Sequence, residues 1–198
     1  MSTKWVGQGI KRREDPRLLM GKGTFVDDMT VPSMHHAAIL RSPHAHARIL
    51  SIDTSEALKH PGVIAVVTGE DVEKMTRPFP TVVDAPFKYY CAAVGKARYV
   101  GEPVAVVVAS DRYVAEDAAE LIRVDYEPLT AVVHPEAALD PEAPVLHEEI
   151  GNNIACHRLL DYGNVDDAFE EADLVLKERL VFPRYSSTPL ETYAIIAD

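Results

Sequence analysis

Hydrophobic residues in this chain come in short β-branched runs separated by helical stripes, and the clearest example is centred on residues 101–126. Residues 104–109 (VAVVVA) form an almost wholly apolar run behind Pro103, the pattern of a buried strand, and the proline can only begin it. Ser110 and Asp111 are both helix-capping types. After them Val114, Ala115, Ala118, Leu121 and Ile122 recur at spacings of three and four, which predicts an amphipathic helix lying on the strand. Residues 123–126 then alternate polar and apolar, so the unit reads strand, helix, strand. Val106 is expected to be fully buried between that helix and another layer.

The same rhythm occurs earlier. Residues 36–41 and 45–53 are strand candidates with Ser42-Pro43 as the turn between them. Thr54 or Ser55 can cap a short helix over 56–59, which Pro61-Gly62 ends. Residues 63–68 (VIAVVT) predict another buried strand, and residues 69–75 a short helix with acidic residues at its positive end. Strand and helix patterns alternating in this way predict an α/β fold, in the broad sense of a mixed α+β sheet arrangement. Residues 76–97 carry Pro78, Pro80 and Pro86 among aromatic residues, a loop of functional or partner-facing length.

Toward the C-terminus the pattern thins. Residues 130–153 are acidic and punctuated by Pro135, Pro141 and Pro144, which places a domain boundary there. Asn164 can cap a short acidic helix over 165–172, residues 173–182 alternate as a long strand, and residues 192–198 begin another strand. The expected organisation is an irregular segment over 1–30, a main domain over 31–130, a connector over 131–155, and an incomplete second domain over 156–198.

Composition narrows the function classes. At 198 residues and 47% hydrophobic, the chain is expected to bury roughly 70% of its unfolded surface as a soluble globular protein. A net charge of -11 opposes a phosphate backbone, so nucleic acid is not an expected partner. No run approaches the roughly 18 apolar residues of a membrane helix, and the N-terminus lacks a signal-peptide core, which points to the cytoplasm. Cys91 and Cys156 form no CxxC motif or disulfide framework, in keeping with a reducing compartment.

Candidate chemistry is sparse. Gly21-Lys22-Gly23 is not a phosphate loop, since the GxxxxGK[ST] spacing and the following helix pattern are missing. Asp27 and Asp28 point apart if the segment is extended. His44 and His46 would share a face of the 45–53 strand and could chelate zinc, but no third ligand stands at a matching spacing, so both are read as structural.

Several ordered phrases nevertheless carry a specific resemblance. They are RSPHAHARI (41–49), PGV (61–63) with TGEDV (68–72), VGEPVA (100–105), VDYEPL (124–129) and GNVDDAF (163–169). With them, the chain from about residue 7 onward resembles the N-terminal part of the molybdenum-binding large subunit of the xanthine dehydrogenase, aldehyde oxidase and carbon monoxide dehydrogenase family. The resemblance implies an α/β hammerhead domain up to about residue 130, followed by the first elements of a molybdopterin-binding region.

It also implies a molybdenum oxidoreductase that hydroxylates an aldehyde, an N-heterocycle or a similar small substrate, or oxidises CO. The implied cofactor is molybdenum-molybdopterin, in the cytosine dinucleotide form, with iron-sulfur and FAD groups on partner subunits receiving the electrons. The family's catalytic glutamate and its pterin-binding loops correspond to positions beyond Asp198. No catalytic, cofactor-binding or metal-binding residue is therefore expected on this chain, and in isolation it is expected to be inactive. Where many relatives read Met-Glu-Pro-Arg, Leu190-Glu191-Thr192-Tyr193 stands here. The expected partners are the remainder of the large subunit, the iron-sulfur subunit and the FAD subunit. The competing reading is a free-standing structural or interaction module with the hammerhead fold and no enzymatic role.

Overall fold

The computed structural model describes residues 4–81, 86–183, 185–189 and 192–197. Val82–Ala85 of the proline-rich loop, Leu190 and Glu191 of the departing family phrase, and Asp198 lie outside the described residues. The chain divides into two compact units: residues 34–165, and a second made of residues up to 33 together with residues from 166 onward.

Before the main unit, a short helix α1 (Asp15–Leu19) with proline in its first turn and a 3-10 turn at Val26–Asp28 interrupt the segment expected to be irregular. The main unit then runs β1 (His36–Arg41), β2 (Ala47–Asp53), α2 (Ser55–Lys59), β3 (Val63–Thr68), α3 (Gly69–Met75), β4 (Lys96–Ala97), β5 (Pro103–Ala109), α4 (Arg112–Glu120) and β6 (Arg123–Pro128).

Local chemistry accounts for these boundaries. Asp111, not Ser110, caps α4, its carboxylate accepting the Val114 N–H at 2.9 Å. The start of α3 is a capping box in which the Asp71 carboxylate accepts both the Thr68 N–H (2.9 Å) and the Thr68 hydroxyl (2.7 Å). Thr54 occupies the cap position of α2 without a side-chain bond; Asp53 instead accepts the Ser55 N–H at 3.0 Å.

Two three-stranded sheets result, with orders β1-β5-β3 and β4-β2-β6, and every pairing is antiparallel. The strand, helix, strand unit of residues 103–128 is thus split: β5 is the centre of one sheet and β6 an edge of the other. Antiparallel neighbours let β5 slot between β1 and β3 without a crossover to its successor, and α4 carries the chain from one sheet to the next.

The core lies beneath α4. Ala105 and Val107 of β5 meet Ala118, Ala119 and Ile122, with Ala57 of α2 closing the cluster. Leu40, Ile52, Val66 and Val124 pack around it, so both sheets rest against the same helical layer. Because side chains alternate across a strand, Val107 is fully buried and Val106 lies on the opposite, half-covered face. The expectation of full burial for Val106 is therefore corrected: α4 packs on the Val107 face of β5, and Val106 is on the other.

The C-terminal expectations also change. Helix α5 (Val165–Glu170) forms within the expected stretch. Residues 173–182 and the described residues 192–197, expected as strands, adopt no regular strand. Alternation alone cannot build one, since a strand without a neighbour leaves its N–H and C=O groups unpaired. Among the described residues, none of the helices is long and apolar enough to cross a membrane.

Candidate functional site

Three of the family-like phrases, RSPHAHARI, VGEPVA and VDYEPL, meet in space in the main unit. Arg41 Nη1 donates to the Gly101 carbonyl (2.9 Å), the Ser42 N–H to the Glu102 carbonyl (2.8 Å), and the Gly101 N–H to the Ser42 carbonyl (2.8 Å). Thus RSP and GEP are stitched together where β1 leaves and β5 enters. The Leu129 N–H donates to the His46 carbonyl at 2.8 Å, Arg48 pairs with Glu127, and the Ser110 N–H reaches the Gly62 carbonyl at 2.9 Å. Gly62 has a φ of +92°, a conformation that favours glycine, and a Cβ there would also crowd Ser110 Oγ at 2.8 Å. These phrases fix turns and sheet ends.

The histidine pair is separated by this arrangement. β2 begins at Ala47, so His44 and His46 fall in the bend before it and do not share a strand face as expected. His44 packs edge-on against Tyr126 with ring centres 4.9 Å apart. His46 is buried, and its Nδ1 lies 2.7 Å from the Thr130 carbonyl; a carbonyl only accepts, so Nδ1 carries the proton. Its Nε2 is buried with no hydrogen-bond partner among the described residues. No three His, Cys, Asp or Glu residues converge as a metal site among the described residues. Cys91 and Cys156 are both exposed thiols.

A cleft of about 370 Å³ lies between the 86–99 loop, α3 and residues 147–149. Glu102 lines it, a carboxylate immediately before the apolar strand β5 and 5% exposed. Burial pushes this carboxyl up, opposed by the Arg98 N–H that it accepts and by the nearby guanidinium. Arg98 itself donates from Nε to the Leu146 carbonyl (3.0 Å) and from Nη1 to the Lys96 carbonyl (3.2 Å). Lys96, buried despite its charge, bonds Glu148 at 2.7 Å and holds that carboxyl below its ordinary range.

On the facing wall His147 stacks on Phe87 (4.9 Å) and contacts Glu149 (3.3 Å); burial and then Arg98 lower its pKa. Tyr89 and Tyr99 share a hydroxyl hydrogen bond of 3.1 Å, and burial, followed by that bond, drives the Tyr99 phenol well up. Asn153 completes the arrangement, its carboxamide bonding the Leu146 N–H and the Ala138 and Pro144 carbonyls.

Arg98 and the neighbouring Lys96 point at carbonyls and a carboxylate of the chain itself. Their geometry is that of a clasp, fastening residues 144–153 to the 96–102 turn. A carboxylate already accepting backbone N–H groups is poorly placed to take a proton from a substrate. Sequence reading passed over Lys96, in the two-residue strand β4, and Arg98 and His147, which lie in irregular segments. The one available signal was Glu102, a lone acid opening an apolar run.

Comparison with known proteins agrees with that architecture. Residues 20–130 match the family model described as aldehyde oxidase and xanthine dehydrogenase, a/b hammerhead domain. The 6-hydroxypseudooxynicotine dehydrogenase complex subunit gamma of Paenarthrobacter nicotinovorans is 41% identical over 97% of this chain and 25% of its own length. The carbon monoxide dehydrogenase large chain of Afipia carboxidovorans is 39% identical over 99% of this chain and 26% of its own. Among solved structures, quinoline 2-oxidoreductase from Pseudomonas putida 86 superposes with a TM-score of 0.71 at 43% identity, covering 78% of this chain and 20% of that one. The chain thus spans about a quarter of the length of these relatives. With antiparallel hammerhead sheets, the matched model over more than half its residues and these similarities, the chain belongs to the aldehyde oxidase and xanthine dehydrogenase family.

Proposed function

We propose that this chain is the scaffold and interface part of a molybdenum hydroxylase large subunit. The assembled enzyme would hydroxylate an aldehyde, an N-heterocycle or a similar small substrate, or oxidise CO. The molybdenum-molybdopterin group, in its cytosine dinucleotide form, is held by residues outside this chain, and electrons leave to iron-sulfur and FAD subunits in the cytoplasm. Its domains in this reading are a hammerhead over 31–130, a connector over 131–155, and the opening of the molybdopterin-binding domain over 156–198. No catalytic, cofactor-binding or metal residue is assigned to it.

One observation carries the proposal: Arg41 Nη1, His46 Nδ1, Arg98 Nε and Nη1, and the Glu102 carboxylate are all hydrogen-bonded to the chain's own backbone. The relatives supply the enzyme class, since they include a carbon monoxide dehydrogenase large chain and a xanthine dehydrogenase molybdenum-binding subunit. The test is elemental analysis and turnover of the purified chain, alone and after co-expression with the remaining large-subunit residues of a relative. Molybdenum and activity are expected only in the complex. Stoichiometric molybdenum on the isolated chain would overturn the proposal.

A further inference from the structure

Residues 144–153 form turns and bends with no helix or strand of their own, and polar contacts hold them on the 96–102 turn. Lys96 Nζ reaches Glu148 at 2.7 Å and Arg98 Nε reaches the Leu146 carbonyl at 3.0 Å, so the residues on either side of His147 are each tied to a cation. His147 is half-buried, its ring on Phe87 with centres 4.9 Å apart and its Nδ1 3.3 Å from the Glu149 carboxylate. His147 and Glu149 both line the cleft of about 370 Å³, so lifting this strap removes part of the cleft wall.

We propose that the 144–153 strap is an acid-released latch, in which protonation of His147 lifts the strap from the 96–102 turn and opens the cleft. Histidine is the side chain whose charge changes just below neutral pH, and here the new charge would arise beside two cations that cannot leave. The latch belongs to the 34–165 unit and does not depend on the enzyme class.

Among the described residues, the charged groups around His147 are Arg98 and Lys96 on the turn, Glu148 and Glu149 on the strap, and Glu73, Lys88 and Glu102 across the cleft. Tyr89, Tyr90 and Tyr99 present phenols, which gain no charge in acid. Burial, then Arg98 and finally Lys96 lower the His147 pKa from 6.5, and they outweigh the opposing Glu149. The closed strap therefore binds this proton less readily than the open one, and closure weakens as pH falls below 6.5. Glu148, held low by Lys96, and Glu149, held low by its own N–H, lose their contributions only below 4.5. Glu102, pushed up by burial, favours the fold as pH falls; it lies on the turn and does not drive release.

Amide exchange of the full chain between pH 7.5 and 5.0 tests the latch, read as protection factors so that the intrinsic pH dependence of exchange is removed. The reporters are the Leu146 N–H, which donates to Asn153 Oδ1 at 2.9 Å, and the Ile150 and Gly151 N–H groups, which donate to the His147 and Glu148 carbonyls at 3.0 and 3.1 Å. Their protection should fall threefold or more over this range, and by at most about tenfold per pH unit, since one proton is taken up per opening. Amides of Val106 and Val107, paired with β1 and β3, should stay protected and show that the domain remains folded.

His147→Phe, which can still stack on Phe87, and His147→Gln carry no charge at any of these pH values and should keep the strap protected throughout. His147→Lys brings a charge at every pH and should leave the reporters unprotected already at pH 7.5. A flat wild-type profile overturns the latch. So does a wild-type pH dependence that survives in His147→Phe or His147→Gln, or a His147→Lys strap as protected at pH 7.5 as the parent.

Discussion

Gly69→Ala sets local propensity directly against tertiary packing. Gly69 is the first residue of α3, where alanine ordinarily favours a helix by about 1 kcal/mol. Here a Cβ would stand 1.8 Å from the Ala93 carbonyl oxygen and 2.6 Å from its carbon, inside any real contact distance. The obstacle is backbone, so no rotamer change relieves it. Ala93 is itself buried, and its N–H is held by the Pro103 carbonyl at 2.8 Å, so the strand entering the core must move with it. Opening this contact by about 1 Å in a close-packed interior costs on the order of 3 kcal/mol or more. Against a total stability of about 5–15 kcal/mol, that lowers the melting temperature by about 10 °C. Denaturant and thermal unfolding of the variant measure it. Gly95→Ala is the control: φ is +65° with open space around it, so only backbone strain of about 1 kcal/mol applies. A Gly69→Ala variant that melts at or above the parent refutes the close approach of α3 to residue 93.

Val107→Asp should cost on the order of 3 kcal/mol or more, and Val106→Asp clearly less, because only Val107 is sealed under α4; equal unfolding midpoints would contradict the assigned faces. Arg98→Ala should release residues 144–153 and speed proteolysis within 131–153, read by mass spectrometry of the fragments; unchanged cleavage there would mean that the clasp holds nothing. The Asp71 carboxyl is held low by the Thr68 N–H and then its hydroxyl, so its contribution is present above the ordinary value of 3.8 and fades as pH falls through the lower folded value. Asp71→Asn should therefore flatten the acid limb of the stability curve below about pH 4, and an unaltered limb would argue against that cap.

What the sequence could disclose was what local chemistry decides. β3 and α3 fall at the expected bounds because Pro61-Gly62, the Thr68 and Asp71 box and the apolar run all lie within a few residues of one another. Partnership was hidden, since a VAVVVA run looks the same at the centre of an antiparallel sheet as in a parallel one. That ambiguity produced the error at Val106, where alternation shows that neighbours face apart but not which face the helix takes. The tail from Asp173 failed differently: its alternation is real, but a ladder needs a second strand. The cleft was invisible for a third reason. Lys96 and Arg98 pair with Glu148 and Leu146, 52 and 48 positions away, and meet them only through folding.

Ten of the fourteen buried hydrophobic residues described are alanines, and the largest fully sealed side chains are Val104, Val107 and Ser42. A domain built this way has few large side chains to lose, so truncations open only small voids. Enlargements are another matter, since Ala115 and Ala118 on α4, Ala57 on α2 and Ala105 on β5 leave no room for added methylenes. The mutational landscape is thus lopsided, forgiving of shrinkage and severe toward growth. Engineers grafting new specificity onto a hammerhead would do better to reshape its exposed loops than to refill its interior.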